Sequence, residues 1–354
     1  MQLSLRIERR PAPLWFRPLT PVIAVVITFI ITAILVIASH ADPFQAYYYF
    51  LVYPLTGRVS ASEVLVSATP LLFTGAAATF AFSAGYWNIG GEGQLMAGAM
   101  AGGGMGLLLG GVSPWLAIPI MILAGFAGGM LWALIPALLK VKLAVDEIVT
   151  TLLMNTVFAF FVSYVLNGVW RSPTSGWPQS PEIAQSAHFP PLFDGYRPHL
   201  GLVLALLILV AIWVVLNRTP LGLQMRSIGL GMEAARFSGV RIERTMLIAA
   251  LISGGIAGLG GLSEVAGLQF HVVETISNNF GYTGIIVAML GGLNPIGTTI
   301  AALFLGLIGI GAQSVSQSLG VPVYLGDVVE ATMLLVTLAM LVLQNYRIRR
   351  VANA

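Results

Sequence analysis

Apolar runs of about 20 residues follow one another almost end to end along this chain, parted only by short stretches of Gly, Pro or Arg. A run of that length is what a helix needs to cross the hydrocarbon layer of a bilayer, where lipid offers no partner to backbone N–H or C=O. Charged residues are 9% of the 354 and apolar ones 57%, with a mean hydropathy of +0.89. Soluble domains are about 25% charged, so the runs leave no room for a soluble domain of any size. The chain has no cysteine, which removes disulfides, thiol nucleophiles and Cys-ligated zinc.

The pattern predicts an all-α membrane protein with ten spans, at 19–39, 63–83, 92–111, 115–139, 147–167, 199–216, 245–267, 280–292, 296–318 and 324–345. The first run is too long for the apolar stretch of a signal peptide, about 7 to 15 residues, and is read as an anchored helix. With the N-terminus inside, 14 of the 17 Lys and Arg fall in inner segments and only Arg58, Arg171 and Arg197 fall outside. Short loops rich in cations stay on the inner side, so both termini are expected in the cytoplasm. The sequence pI of about 9.3 therefore reflects topology signals clustered beside apolar runs, and no solvated stripe for nucleic acid is present. The expected organisation is an N-terminal segment 1–18, a transmembrane domain 19–345 and a tail 346–354. An outer loop at 168–198 carries Trp170, Trp177, Pro190 and Pro191, and an inner loop at 217–244 holds five arginines with Glu233 and Glu243.

Gly98, Gly102, Gly106 and Gly110 recur every fourth residue, and Gly125 with Gly129 and Gly254 with Gly258 repeat the spacing. Small residues so placed let another helix backbone approach closely. Two junctions are richer still in glycine: 82–94, which includes Asn88-Ile89-Gly90-Gly91-Glu92-Gly93-Gln94, and 291–295 after a span of only 13 residues. Each is either unwound backbone at membrane depth, as in transporters with broken helices, or an ordinary turn at the inner face. Ionisable groups within spans mark function or an interior contact. Glu264 lies deepest, whereas Glu92, Asp327 and Glu330 lie within about a turn of a span end, where capping or snorkelling also accounts for them. Asn88, Glu92, Gln94, Asn155, Glu264, Asn278 and Asn294 are the expected lining of a translocation path.

No pair of the four histidines has metal-ligand spacing, there is no G-x-S-x-G, and neither lysine follows a glycine as a phosphate-binding loop requires. The chain is expected to have no catalytic residues, no metal and no directly bound cofactor.

Gly229-Leu230-Gly231-Met232-Glu233-Ala234-Ala235-Arg236-Phe237-Ser238-Gly239-Val240 resembles the coupling-helix segment of ABC importer permeases of the branched-chain amino acid, ribose and nucleoside branch. As a short exposed helix it pairs Glu233 with Arg236, keeps a flat face at Ala234 and Ala235, offers Phe237 as an anchor and ends at Gly239. The stretches 86–95 and 290–297 are similar to the same branch, and the first is closest to the larger permease of bacterial nucleoside importers. Where the family often has Asn-Pro this chain has Gly231-Met232, a weaker helix start.

The resemblance implies a ten-helix, type II-like permease fold with two related halves and some short or broken helices, sited in the bacterial inner membrane. It implies partners: ATP-binding subunits that carry ATP-Mg, a second permease chain, homologous or identical, and a periplasmic or lipid-anchored substrate-binding protein. Glu233, Ala234, Ala235, Arg236, Phe237 and Gly239 would couple to the ATPase, rocking spans seven to ten against spans two to five. Nucleosides are the expected substrate, with ribose- or galactose-type sugars as the alternative. An ion-coupled secondary transporter is the rival from another class, but it leaves the segment around Glu233 without a role.

Overall fold

The computed structural model describes residues 3–9 and 19–352. Residues 1–2 and 10–18 of the expected N-terminal segment and 353–354 of the tail lie outside the described residues. In chain order the helices are α1 (Leu19–Ala38), α2 (Pro43–Leu51), α3 (Tyr53–Thr56), α4 (Arg58–Ser83), α5 (Gly91–Leu108), α6 (Pro114–Leu143), α7 (Glu147–Asn167) and α8 (Leu200–Arg218). There follow α9 (Pro220–Leu230), α10 (Met232–Phe237), α11 (Ile242–Glu264), α12 (Phe280–Leu290), α13 (Pro295–Leu319) and α14 (Leu325–Asn345). The chain is an all-α membrane protein, with one addition that hydropathy could not signal. Strands β1 (Leu3–Arg9) and β2 (Tyr346–Ala352) pair antiparallel, Leu3 opposite Ala352 and Arg9 opposite Tyr346.

Each of the ten expected spans falls on a helix. Among the described residues, seven of these are long and apolar enough to cross a membrane on length and composition: α1, α4, α6, α7, α8, α11 with its continuation to Gln269, and α13. Glycine dilutes the hydropathy of α5, and α12 has only 11 residues. The helices divide into two compact units, 1–53 with 311–354 and 54–310.

In the first unit α1 turns Thr20, Ala24, Thr28, Thr32 and Val36 inward, one residue per turn, and the Thr28 and Thr32 hydroxyls donate to carbonyls four residues back. Phe29 and Tyr47 meet edge to face at 4.9 Å, and the Tyr47 hydroxyl donates to the Phe29 carbonyl.

In the second unit α4 and α11 are enclosed, with 89% and 78% of their spanning windows buried, whereas α6 and α7 have 22% and α8 33%. The last three therefore leave most of their apolar surface uncovered by the rest of the unit. Glycine sets how near the inner helices come. A methyl on Gly98 would overlap the backbone of Gly258, one on Gly129 the backbone at Gly254 and Gly258, and one on Gly261 the carbonyl of Leu95. Helix α11 thus crosses both α5 and α6 backbone against backbone, as the glycine spacing predicts. Gly110 does not belong to that stripe, since α5 ends at Leu108 and nothing stands within 4 Å of it.

Candidate functional site

After Ser83 the chain does not leave the helix layer. Gly85, at φ +69°, reverses it in a tight turn against Gly229, and residues 86–90 run back alongside α4. Asn88 Nδ2 donates to Ser253 Oγ at 3.0 Å, and Ser253 Oγ donates to the carbonyl of Ala77 at 2.8 Å. Ala77 lies six residues before Ser83, so the loop re-enters by about 9 Å at 1.5 Å per residue. Asn88 and Gln94 exchange two amide hydrogen bonds at 2.8 and 3.0 Å, and Asn88 Oδ1 also accepts from the Gly90 amide. Asn155 on α7 clasps the loop from the other side. Its Oδ1 accepts from the Gly93 amide at 2.9 Å and its Nδ2 donates to the Ile89 carbonyl at 3.0 Å and to the Tyr282 hydroxyl at 3.2 Å.

A second segment enters from the opposite end. Helix α11 continues into a π-helical turn, Val265–Gln269, after which Val272 and Ser180 exchange hydrogen bonds at 2.9 Å. Glu274 accepts from Ser163 and Asn167 at 2.7 Å each, and Asn278 and Asn279 adopt left-handed backbone before α12 begins. Helix α12 spans about 16 Å and brings Ala288 to Ala81 and Phe82 near the end of α4, so its N-terminus lies well inside the unit.

The N-termini of α5 and α12 therefore face each other within the unit, each with amides that no helical carbonyl can reach. Glu92 serves both. It lies in the first turn of α5, and its carboxylate accepts from the Gly281 amide at 2.7 Å and the Asn279 amide at 3.1 Å. A negative charge between two positive helix ends is favourable. Gly281 permits the approach, since any Cβ there would overlap the Glu92 backbone.

The structure thus brings together Asn88, Glu92, Gln94 and Asn155, all buried, and turns their polar atoms toward one another. Asn278 is exposed beside them. Asn294 and Glu264 lie apart. Asn294 Oδ1 accepts from the Ile296 amide and starts α13 ahead of Pro295. Residues 291–294 form an ordinary tight turn, with Gly292 and Leu293 at positive φ, so the interruption that reaches into the bundle precedes α12 rather than following it. Glu264 is buried near the far end of α11, and its Oε1 has no hydrogen-bond partner. Ser253, Thr151 and Tyr282 complete the junction; as common membrane-helix residues far apart in sequence they carry no signal of their own. Among the described residues no cluster of three His, Asp or Glu could hold a metal.

At the end where Gly85 meets Gly229, the 217–244 segment forms α9 and α10. Thr219 caps α9 through the Gly222 amide, with Pro220 in the first turn. Helix α10 starts at Gly231, whose φ of 177° is extended and which offers no side-chain cap; this is the weaker start that Gly-Met predicts. Gly239, at φ +83°, ends it. Glu233 and Arg236 pair at 3.3 Å. The two alanines do not share a flat face. Ala234 is exposed, while Ala235 is 3% exposed and sits in a cluster with Ala78, Phe82, Tyr86, Ile228, Met246 and Ala288. Ala235 is thus a foot, and Phe237 on the other side is 96% exposed, with Leu230 nearby at 90%.

Residues 60–342 match the family model described as "Branched-chain amino acid transport system / permease component". The chain is 34% identical to the glucose ABC transporter permease protein TsgB13 of Haloferax volcanii over 98% of this chain and 94% of that one. It is 32% identical to the guanosine ABC transporter permease protein NupP of Bacillus subtilis over 77% and 79% of the two chains. With the nucleoside ABC transporter permease protein NupB of Lactococcus lactis it shares 29% over 89% of each. No solved structure matches.

Proposed function

The chain belongs to the branched-chain amino acid transport permease-component family, and we propose that within it this protein forms the translocation path of an ATP-driven nucleoside importer. The observation that carries the ATP-driven part is α10, a short helix with one buried foot and a bare aromatic knob. A fully exposed Phe beside an exposed Leu is an anchor for a partner pocket, and a partner ATPase supplies the nucleotide chemistry this chain lacks. The cation asymmetry of the sequence supports a cytoplasmic location for α10 and both termini.

Force on α10 has a short route inward. Ala235 bears on the cluster that also holds Phe82 at the end of α4, Tyr86 in the re-entrant loop, Met246 of α11 and Ala288 of α12. Moving this cluster moves the junction around Asn88, Glu92, Gln94 and Asn155, which behaves as one cross-linked body. The polar path then lies along that body's exposed edge, where Asn278 stands, and is completed by a second permease chain. A binding protein delivers substrate at 168–198. The guanosine and nucleoside relatives support the nucleoside reading; the glucose permease of Haloferax, matched over 98% of this chain, favours a sugar as the second reading.

The test is ATPase activity of the complex purified through this chain, with binding protein loaded in turn with guanosine, adenosine, ribose and glucose. Stimulation by nucleosides supports the proposal, stimulation by glucose alone transfers it to the sugar, and absence of any ATPase subunit overturns it. Phe237→Ala is expected to abolish stimulated uptake while leaving the unfolding midpoint unchanged.

A further inference from the structure

Beside α10, the end of α6 and the first turns of α11 border an open cavity of about 520 Å³. Lys142, Arg236, Arg241 and Arg244 line it with one carboxylate, Glu243; Arg236 is paired with Glu233 just outside the lining, so two of the four cations are left without a carboxylate. Lys142 stands 3.6 Å from Glu243, while Arg241 and Arg244 have no ion-pair partner among the described residues. Lys140, two residues before Lys142, is held by Glu147 at 2.5 Å and contributes nothing to the cavity. Like charges gathered this closely repel, and an anion relieves the repulsion.

The rest of the wall is apolar, through Val141, Val240 and Leu247. On α6, Ile135 and Leu138, two turns and one turn before Lys142 on the same face, are exposed as well. Charge and apolar surface together fit an amphiphile: a phosphodiester among the arginines, with acyl chains along α6. An acidic patch on a partner protein would match the charge but leave the apolar wall bare. We propose that this cavity binds the headgroup of one acidic phospholipid. Because Arg236 and Val240 belong both to the cavity wall and to the α10 segment, the bound lipid braces the base of α10.

Native mass spectrometry of the full chain in neutral detergent tests this, with phosphatidylglycerol or phosphatidylcholine added. The expected result is selective retention of one phosphatidylglycerol, falling about thirtyfold in the Arg241→Gln, Arg244→Gln double variant, the factor two cations contribute at a membrane surface. Arg226→Gln, an exposed cation on α9 outside the cavity, should retain the lipid, as should the charge-keeping Arg241→Lys, Arg244→Lys variant, which separates lost binding from lost folding. Equal retention by the glutamine variant, equal loss in Arg226→Gln, or loss in the lysine variant overturns the proposal. So does a thermal shift with inorganic phosphate as large as with phosphatidylglycerol, which makes the cavity a free-anion site. Displacement of the lipid by a co-purified ATPase subunit likewise overturns it, assigning the cavity to that partner.

Discussion

The junction at Glu92 and the helix α10 are both short, glycine-flanked and polar in sequence, yet they treat their side chains in opposite ways. At the junction the polar groups are buried and bonded to one another and to backbone amides freed by two helix starts. On α10 the polar groups are in water and the large apolar side chain is bare. The first pattern is a site finished within the chain, where an unpaired polar group would carry a desolvation cost of roughly 1–3 kcal/mol. The second leaves an apolar side chain uncovered, which under the proposed function is where a partner docks.

If the junction is finished within the chain, changes there must cost stability, and the largest cost follows from Gly281→Val. Its side chain would occupy the space of the Glu92 backbone and drive the starts of α5 and α12 apart. Overpacking against side chains costs about 1–3 kcal/mol, and backbone is less able to yield, so this variant is expected not to give monodisperse protein in detergent. Next comes Asn155→Leu, which keeps the branched outline but orphans the Gly93 amide and the Ile89 carbonyl, for a loss of roughly 1–3 kcal/mol. A fall in the thermal midpoint together with uptake is the expected reading. An unchanged midpoint with altered substrate preference would instead show that Asn155 faces the path.

The two buried carboxylates sharpen the comparison. Glu92→Gln removes the charge between two helix ends and puts a donor where Gly281 and Asn279 also donate, so it should destabilise by about 1–2 kcal/mol. Glu264→Gln changes a buried group whose Oε1 already lacks a partner and should cost less than Glu92→Gln, because no hydrogen bond to that oxygen is lost. Thermal unfolding of the two variants side by side decides this; a larger loss at Glu264 would reveal a bound group that the chain alone does not display.

Hydropathy was enough to read the ten span helices, because each span must satisfy its own backbone and needs a fixed length of apolar sequence. The glycine stripes were legible for a related reason, since only a missing side chain allows Gly98 to meet Gly258. The re-entrant loops were only half legible. Gly85, Gly90 and Gly91 announce an interruption but not its depth, which depends on Ser253 and Asn155, residues 60 or more positions away in the chain. The same holds for Ala235. Beside Ala234 it reads as one face, and only the helical phase of a six-residue element decides which alanine is the foot.

The smallest expected effect belongs to the Glu233–Arg236 pair, and its smallness is what makes it useful. The side chains are 85% and 62% exposed, and such a pair on a helix surface contributes about 0.2–0.5 kcal/mol. Arg236→Ala and Glu233→Ala should therefore leave the unfolding midpoint of the chain nearly unchanged and make it less sensitive to salt. Any large loss of uptake in either variant cannot then arise from misfolding. Measuring ATPase activity alongside uptake distinguishes the two sides of the contact: hydrolysis that continues without transport places the fault at the joint between α10 and its partner. Full activity in both variants would leave Phe237 and Leu230 to hold the partner by apolar contact alone.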